Sequence, residues 1–252
     1  MIKTLYARLK QGYRTMPFPV KTDALPNRFL GRPYLSANLS PADFQQCKQV
    51  CPTGAIGGSE SNFSLDLGKC LFCGECQKIA QNQAIVFSKE YQLARSERKS
   101  LVLSSQPNLI EQKINKKIKN IFGRSLKLRQ VSAGGCNACE LDINVLNTPG
   151  FDLARFGIQF VASPRHADGI VLTGPVTKNM RLALEKTYKA IPSPKLVIAV
   201  GACAISGGAY IDHSEANNGI DALIPVDLYI PGCPPHPLTI LDGLLKAMGK
   251  KR

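Results

Sequence analysis

Two hydrophobic periods divide this chain. Near the N-terminus, Ile2, Leu5, Tyr6, Leu9 and Tyr13 fall on one helical face, and Lys3, Lys10 and Arg14 lie away from it or flank it. That spacing predicts a short amphipathic helix over 2–14, ended by Pro17 and Pro19. The rest of 1–40 is Pro-rich and extended. Residues 41–92 carry short runs, Phe63–Leu67 and Ala84–Ser88, that read as strands of two βαβ-like halves with loops between. A linker over 93–125 contains Ile110, Ile114, Ile118, Ile121 and Phe122 at helical spacing, with Lys113, Lys116, Lys117 and Lys119 flanking or opposing them. From 126 onward strands alternate with helices. Leu126–Val131, Ile158–Ala162, Gly169–Thr173, Leu196–Val200 and Asp227–Ile230 read as strands; 139–147, 177–190 and 237–248 read as helices. Such alternation predicts a parallel, doubly wound α/β sheet over 126–252.

Composition sharpens this picture at two points. The 252 residues are 44% hydrophobic, enough to bury a core. Nine are Cys. The opening MIKTLYARLKQGYR lacks the uninterrupted apolar stretch of a signal peptide, so these thiols are expected to be metal ligands rather than disulfides. No apolar run approaches the roughly 18 residues of a membrane span. Charge is uneven: residues 1–130 hold 21 Lys and Arg against 8 Asp and Glu, and residues 131–252 hold 11 against 10. A basic half invites nucleic acid, anionic lipid or an acidic protein. No nucleic-acid motif accompanies it, so no nucleic acid is expected as a partner. The basic amphipathic stretch around 110–122 suits a helix docked on protein with a solvated basic face, or one lying on an anionic membrane.

The first cysteine constellation is CLFCGECQKIAQ, with Cys70, Cys73 and Cys76 at C-x2-C-x2-C spacing. Two-cluster ferredoxins repeat C-x2-C-x2-C-x3-C-P, and the fourth Cys of each run ligates the other run's cluster. Here the fourth position is Ala80, followed by Gln81. The other run, PADFQQCKQVCP, keeps Cys51-Pro52 and Cys47 but has Phe44 and Pro41 at the remaining ligand positions. Crossed ligation then leaves one cluster a single thiolate, Cys47. The other retains all four: Cys51, Cys70, Cys73 and Cys76. Cys47 reads as a vestigial thiol.

A second constellation follows the strands of the C-terminal half. Cys136 and Cys139 lie in AGGCNACE, Cys203 in GACAISGG and Cys233 in PGCPPHP. Ligand sites of open α/β sheets gather outside the carboxyl ends of the strands. Three loops at that edge bring four thiolates together, and their glycines allow close backbone approach. Four thiolates also suit zinc, although structural zinc sites usually pair two C-x2-C units and this chain has one plus two single Cys. Arg165 and His166 in SPRHAD read as surface or capping residues, with tuning of a nearby cluster as the alternative. Thr173, Gly174 and Thr177 in LTGPVT read as shaping a strand end and a subunit contact. His236 and His213 carry no assignable role.

The segments GGCNACE, SPRHAD, LTGPVT, GACAISGG and PVDLYIPGCPP closely resemble the small subunit of group 4 [NiFe] hydrogenases, including the formate hydrogenlyase type, and the homologous 20-kDa subunit of respiratory complex I. FLGRPYL, CPTGAI, GKCLFCGEC and QAIVFSKEYQLA resemble the ferredoxin-like subunit of the same complexes. The chain thus looks like a fusion of two neighbouring electron-transfer subunits. The resemblance implies a flavodoxin-like doubly wound domain behind an N-terminal α+β ferredoxin-like domain. It implies two [4Fe–4S] clusters, the proximal one on Cys136, Cys139, Cys203 and Cys233, and no catalytic residue in this chain. Implied partners are a Ni–Fe large subunit, a ferredoxin-type or formate dehydrogenase-linked electron-transfer subunit, and integral membrane subunits. The implied location is the cytoplasmic face of the inner membrane, held peripherally. Complex I subunits carry two adjacent Cys at the first ligand position; Cys136-x2-Cys139 is the hydrogenase-type spacing. Relatives often carry Cys where Ala133 stands, and two clusters where 41–92 retains one, so a missing cluster must be bypassed or supplied by another subunit. By the same resemblance Glu140 could pass protons near the large subunit; otherwise it is a first-turn Glu favoured by the helix dipole. The alternative function is the same relay in a nickel-free oxidoreductase reducing quinone or a sulfur compound; a zinc-stabilised binding protein is the third reading.

Overall fold

The computed structural model describes residues 2–12, 14–22, 25–36, 39–59, 62–80, 84–105 and 125–250. In the C-terminal half, strands β6 (Leu126–Ser132), β7 (Ile158–Phe160), β8 (Gly169–Thr173), β9 (Leu196–Val200) and β10 (Leu228–Ile230) form one sheet. Their order is β10-β9-β8-β6-β7, and every pairing is parallel. Strand order reverses between β6 and β8, which is the switch point of a flavodoxin-like doubly wound fold.

Side-chain alternation explains why this sheet lies buried on both faces. Ile170 and Leu172 of β8, with Val197 and Ala199 of β9, point into one apolar cluster; Val171, Leu196, Ile198 and Val200 point into the other. Helices Ala138–Val145 and Pro237–Ala247 supply Ile143, Leu241 and Leu244 to the second cluster. The first cluster continues without a break into the N-terminal half through Phe44, Phe63, Leu65 and Ile85. The two halves therefore share a core.

The N-terminal half contains β1 (Pro33–Leu35) paired with β4 (Ile85–Phe87), and the antiparallel set β2 (Ile56–Ser59), β3 (Asn62–Asp66) and β5 (Val102–Ser104) in the order β2-β3-β5. Its helices are α1 (Ile2–Gln11), α2 (Pro41–Val50) and α3 (Glu75–Ile79); the C-terminal helices are α4 (Ala138–Val145), α5 (Lys178–Ala190), α6 (Ala202–Ser206) and α7 (Pro237–Ala247). Helix α1 stops at Gln11, short of the expected 14, because Gly12 takes a left-handed φ of 64°.

The stretch that carries the degraded run of ligand positions is helix α2, whose Ser40 hydroxyl accepts from the Asp43 N–H at 3.1 Å. One expectation needs correction. Residues 93–105, assigned to the linker, are structural: Leu93, Ala94 and Leu101 are buried, and β5 pairs with β3. Arg95 forms a bridge to Tyr229 through both backbone hydrogen bonds, 3.0 and 2.8 Å. The amphipathic stretch around 110–122 lies outside the described residues, as do Tyr13 and Gln81. Among the described residues no helix is long and apolar enough to cross a membrane.

Candidate iron–sulfur sites

The two C-x2-C units at the heart of the sites share one local conformation. Gly74, after Cys73, has φ 78° and ψ 2°; Asn137, after Cys136, has φ 71° and ψ −1°. Each residue sits left-handed and caps a helix, so Cys76 and Cys139 enter the first turns of α3 and α4. Gly and Asn are the residue types that tolerate this backbone.

Cys51, Cys70, Cys73 and Cys76 line one small pocket, with Ile56, Leu65 and Phe87 as apolar walls. Backbone amides already point at sulfur: Ala55 N donates to Cys51 Sγ at 3.2 Å and Phe72 N to Cys70 Sγ at 3.3 Å. Burial pushes the Cys76 thiol up to about 12, and neighbouring Cys47, Cys73 and Cys51 add to that shift. Cys70 is raised by burial too, with the Phe72 N–H opposing it. Such thiols stay protonated without a cation; bonded iron would compensate the buried charge.

The vacated positions are filled by packing. Phe44, Cys47 and Ala80 all lie in the core cluster, and Cys47 donates to the Cys76 carbonyl at 3.5 Å. Burial lifts the Cys47 thiol to about 11. Three of the four positions that would serve a second ferredoxin-type cluster are thus buried in packing; Pro41 is exposed.

Cys136, Cys139, Cys203 and Cys233 follow the carboxyl ends of β6, β9 and β10 and gather at one end of the parallel sheet. Burial raises Cys139 most, and Cys203, Glu140, Cys233 and Cys136 reinforce it. Burial likewise pushes Cys233 up to about 11, with Cys203 and Cys136 contributing. Gly201, at φ 90°, passes so close that a Cβ there would stand 2.6 Å from Cys139 Sγ. Backbone can approach only because that residue has no side chain. The donor set is four thiols, with the backbone N–H groups of Ala209 and Cys203 directed at the Cys203 sulfur, which fits a sulfur-rich cluster. Among the described residues no three Cys, His, Asp or Glu stand close enough to hold a single metal ion.

Residues around this second group now have defined places. Glu140 is buried and accepts from Ser132 Oγ at 2.5 Å and Thr173 Oγ1 at 2.6 Å. Tyr210, whose phenol is raised chiefly by burial and then by Cys136, Cys203 and Cys233, stands beside the thiols; its sequence context gave no hint of this. Arg165 and His166 are exposed and precede β8, at the amino end of the sheet and away from the cysteines. His236 caps α7 by accepting from Leu238 N at 3.2 Å and meets Phe29 edge-on at 5.2 Å between ring centres.

The two groups adjoin. Ser206, at the end of the Cys203 helix, donates to Gly68 O at 2.8 Å, two residues before Cys70. An open cleft of about 540 Å³ is lined by Leu71 and Phe72 of one cysteine loop and by Cys233, Pro234, Pro235 and His236 of the other. Ser206 became recognisable only once the loops were folded together.

Comparison with known proteins finds relatives over part of the chain. Residues 136–247 match the family described as NADH ubiquinone oxidoreductase, 20 kDa subunit. A probable membrane-bound hydrogenase subunit of Pyrococcus furiosus is 41% identical over 147 residues, covering 58% of this chain and 87% of that one. Formate hydrogenlyase subunit 7 of Escherichia coli is 46% identical over 134 residues, covering 53% of this chain and 51% of that one, so this chain spans about half that relative's length. An NADH-quinone oxidoreductase subunit of Citrifermentans bemidjiense is 47% identical over 116 residues, covering 46% of this chain and 68% of that one. By its parallel sheet, its cysteine loops and these identities, the chain belongs to the 20 kDa subunit family of NADH ubiquinone oxidoreductase, which it shares with hydrogenase and formate hydrogenlyase subunits.

Proposed function

We propose that this chain is a non-catalytic electron-transfer subunit of a membrane-associated oxidoreductase complex of the group 4 [NiFe] hydrogenase type. One [4Fe–4S] cluster would be held by Cys51, Cys70, Cys73 and Cys76, and the other by Cys136, Cys139, Cys203 and Cys233. Bound clusters supply one-electron uptake and release. The protein's own work is to place and tune them: amides of Ala55 and Phe72 donate to ligand sulfurs, and α3 and α4 present Cys76 and Cys139. The partners proposed are a Ni–Fe large subunit, a ferredoxin-type or formate dehydrogenase-linked donor, and integral membrane subunits at the cytoplasmic face.

The observation that carries this reading is the contact between the segments that bear the two cysteine groups. The retained first group is the one whose loop touches the Cys203 helix, at Gly68 and Ser206. That supports a direct step between the groups, so the filled cluster position lies off the route rather than breaking it.

Iron and acid-labile sulfide on anaerobically purified chain test the count: about eight of each are expected per chain. About four, or zinc in place of iron, overturns the two-cluster reading. Nickel in the complex captured with the tagged chain then separates two functions. Stoichiometric nickel is expected. An intact, iron-rich complex without nickel would move the function to the nickel-free relay reducing quinone or a sulfur compound, a reading favoured by the 47% identity to an NADH-quinone oxidoreductase subunit.

A further inference from the structure

Among the described α-helices, α1 alone buries no residue. Its four large apolar side chains, Ile2, Leu5, Tyr6 and Leu9, are 84%, 62%, 66% and 83% exposed. At about 100° per residue they make a single stripe roughly 100° wide. Lys3 and Lys10 border the stripe on one side and Arg8 on the other; Thr4, Ala7 and Gln11 lie opposite. The helix has no acidic residue, and the first in the chain is Asp23.

We propose that α1 is an anchor lying flat in the headgroup layer of an anionic phospholipid bilayer. The charge pattern selects this occupant. Cations on both flanks of an apolar stripe, with no anion among them, complement a uniformly negative plane with an apolar interior. Tyr6, at the stripe's edge, is the residue type that favours the interface. Ten residues give about 15 Å of helix, half the thickness of a bilayer core, so α1 lies in the plane and does not cross it.

The chain that follows α1 is held to the α/β half at Met16 and Phe18. Met16 N donates to Gly150 O at 2.7 Å, Arg155 Nη2 donates to Met16 O at 2.6 Å, and Phe18 meets Phe156 edge-on at 5.6 Å. Insertion of α1 would therefore keep the α/β half close to the membrane. This inference stands apart from the electron-transfer reading.

The test is co-sedimentation of the purified full chain with vesicles of phosphatidylcholine alone or mixed with phosphatidylglycerol. Wild type should bind the mixed vesicles, and binding should fall about tenfold or more on neutral vesicles, in Leu5→Glu/Leu9→Glu, and in Lys3→Glu/Lys10→Glu. Every variant keeps the basic stretch around 110–122, so a loss tracks α1. All substituted residues are exposed, and an unchanged iron content in each variant reports separately on the relay. Unchanged binding in both variants, or no vesicle binding by wild type, overturns the proposal; the latter would leave a protein surface as the occupant.

Discussion

Gly201 shows how little freedom a cysteine loop has at the level of single residues. Its φ of 90° is strained for any side chain, and a Cβ would overlap Cys139 Sγ. Gly201→Ala should displace that thiol and lower iron from about eight to about four per chain, leaving the first group loaded. Full iron retention would show that the loop yields. Phe44 tests the opposite situation, a former ligand position now packed. Phe44→Ala should cost about 3–5 kcal/mol, read as a lower denaturation midpoint, with iron per chain unchanged. The two cysteine groups were legible in the sequence because thiols at fixed spacings and at strand ends are brought together. Tyr210, Ser206 and the bond from Thr173 to Glu140 were not, because they arise from loops that meet only in three dimensions.

At the level of elements, β8 and β9 appear in the sequence with the bounds they have in the structure, since strands buried on both faces are unbroken apolar runs. Helix α2 was missed for the opposite reason. Residues 41–50 were read for their cysteine spacing alone, whereas Ser40, Pro41 and Asp43 form a helix-start signal of cap, first-turn proline and N-terminal acid. Ser40→Ala should therefore lower stability by about 1 kcal/mol through the lost cap, measured as a small fall in Tm. A result near zero would mean that α2 is held by Phe44 and Cys47 alone. The short strands β1 and β5 have only three residues each, too few for an alternating pattern to stand out.

Across the whole molecule, the seam between halves is crossed by the backbone bridge of Arg95 and Tyr229 and by the bond from Ser206 to Gly68. Arg98 binds Asp66 through two contacts, 2.8 and 2.7 Å, and Tyr229 donates to Asp221 at 2.7 Å on the other side. Arg95 and Tyr229 exchange backbone hydrogen bonds between them. Hydrogen exchange should find the Arg95 and Tyr229 amides as protected as those of β9; fast exchange there would mean that the halves part readily. Charged Arg95, Glu97, Arg98 and Lys99 made this stretch read as linker, because polar residues that face another domain cannot be told from polar residues that face water.

That same bridge has a consequence for how the protein can exist. β10 ends the parallel sheet, and a terminal strand offers unpaired amides and carbonyls as a template for any passing chain. Arg95 occupies that template at Tyr229. Residues 126–252 made alone would leave the rim bare and should self-associate edge to edge. Joining the two halves in one polypeptide guarantees a blocking strand at equal concentration for every sheet that is made.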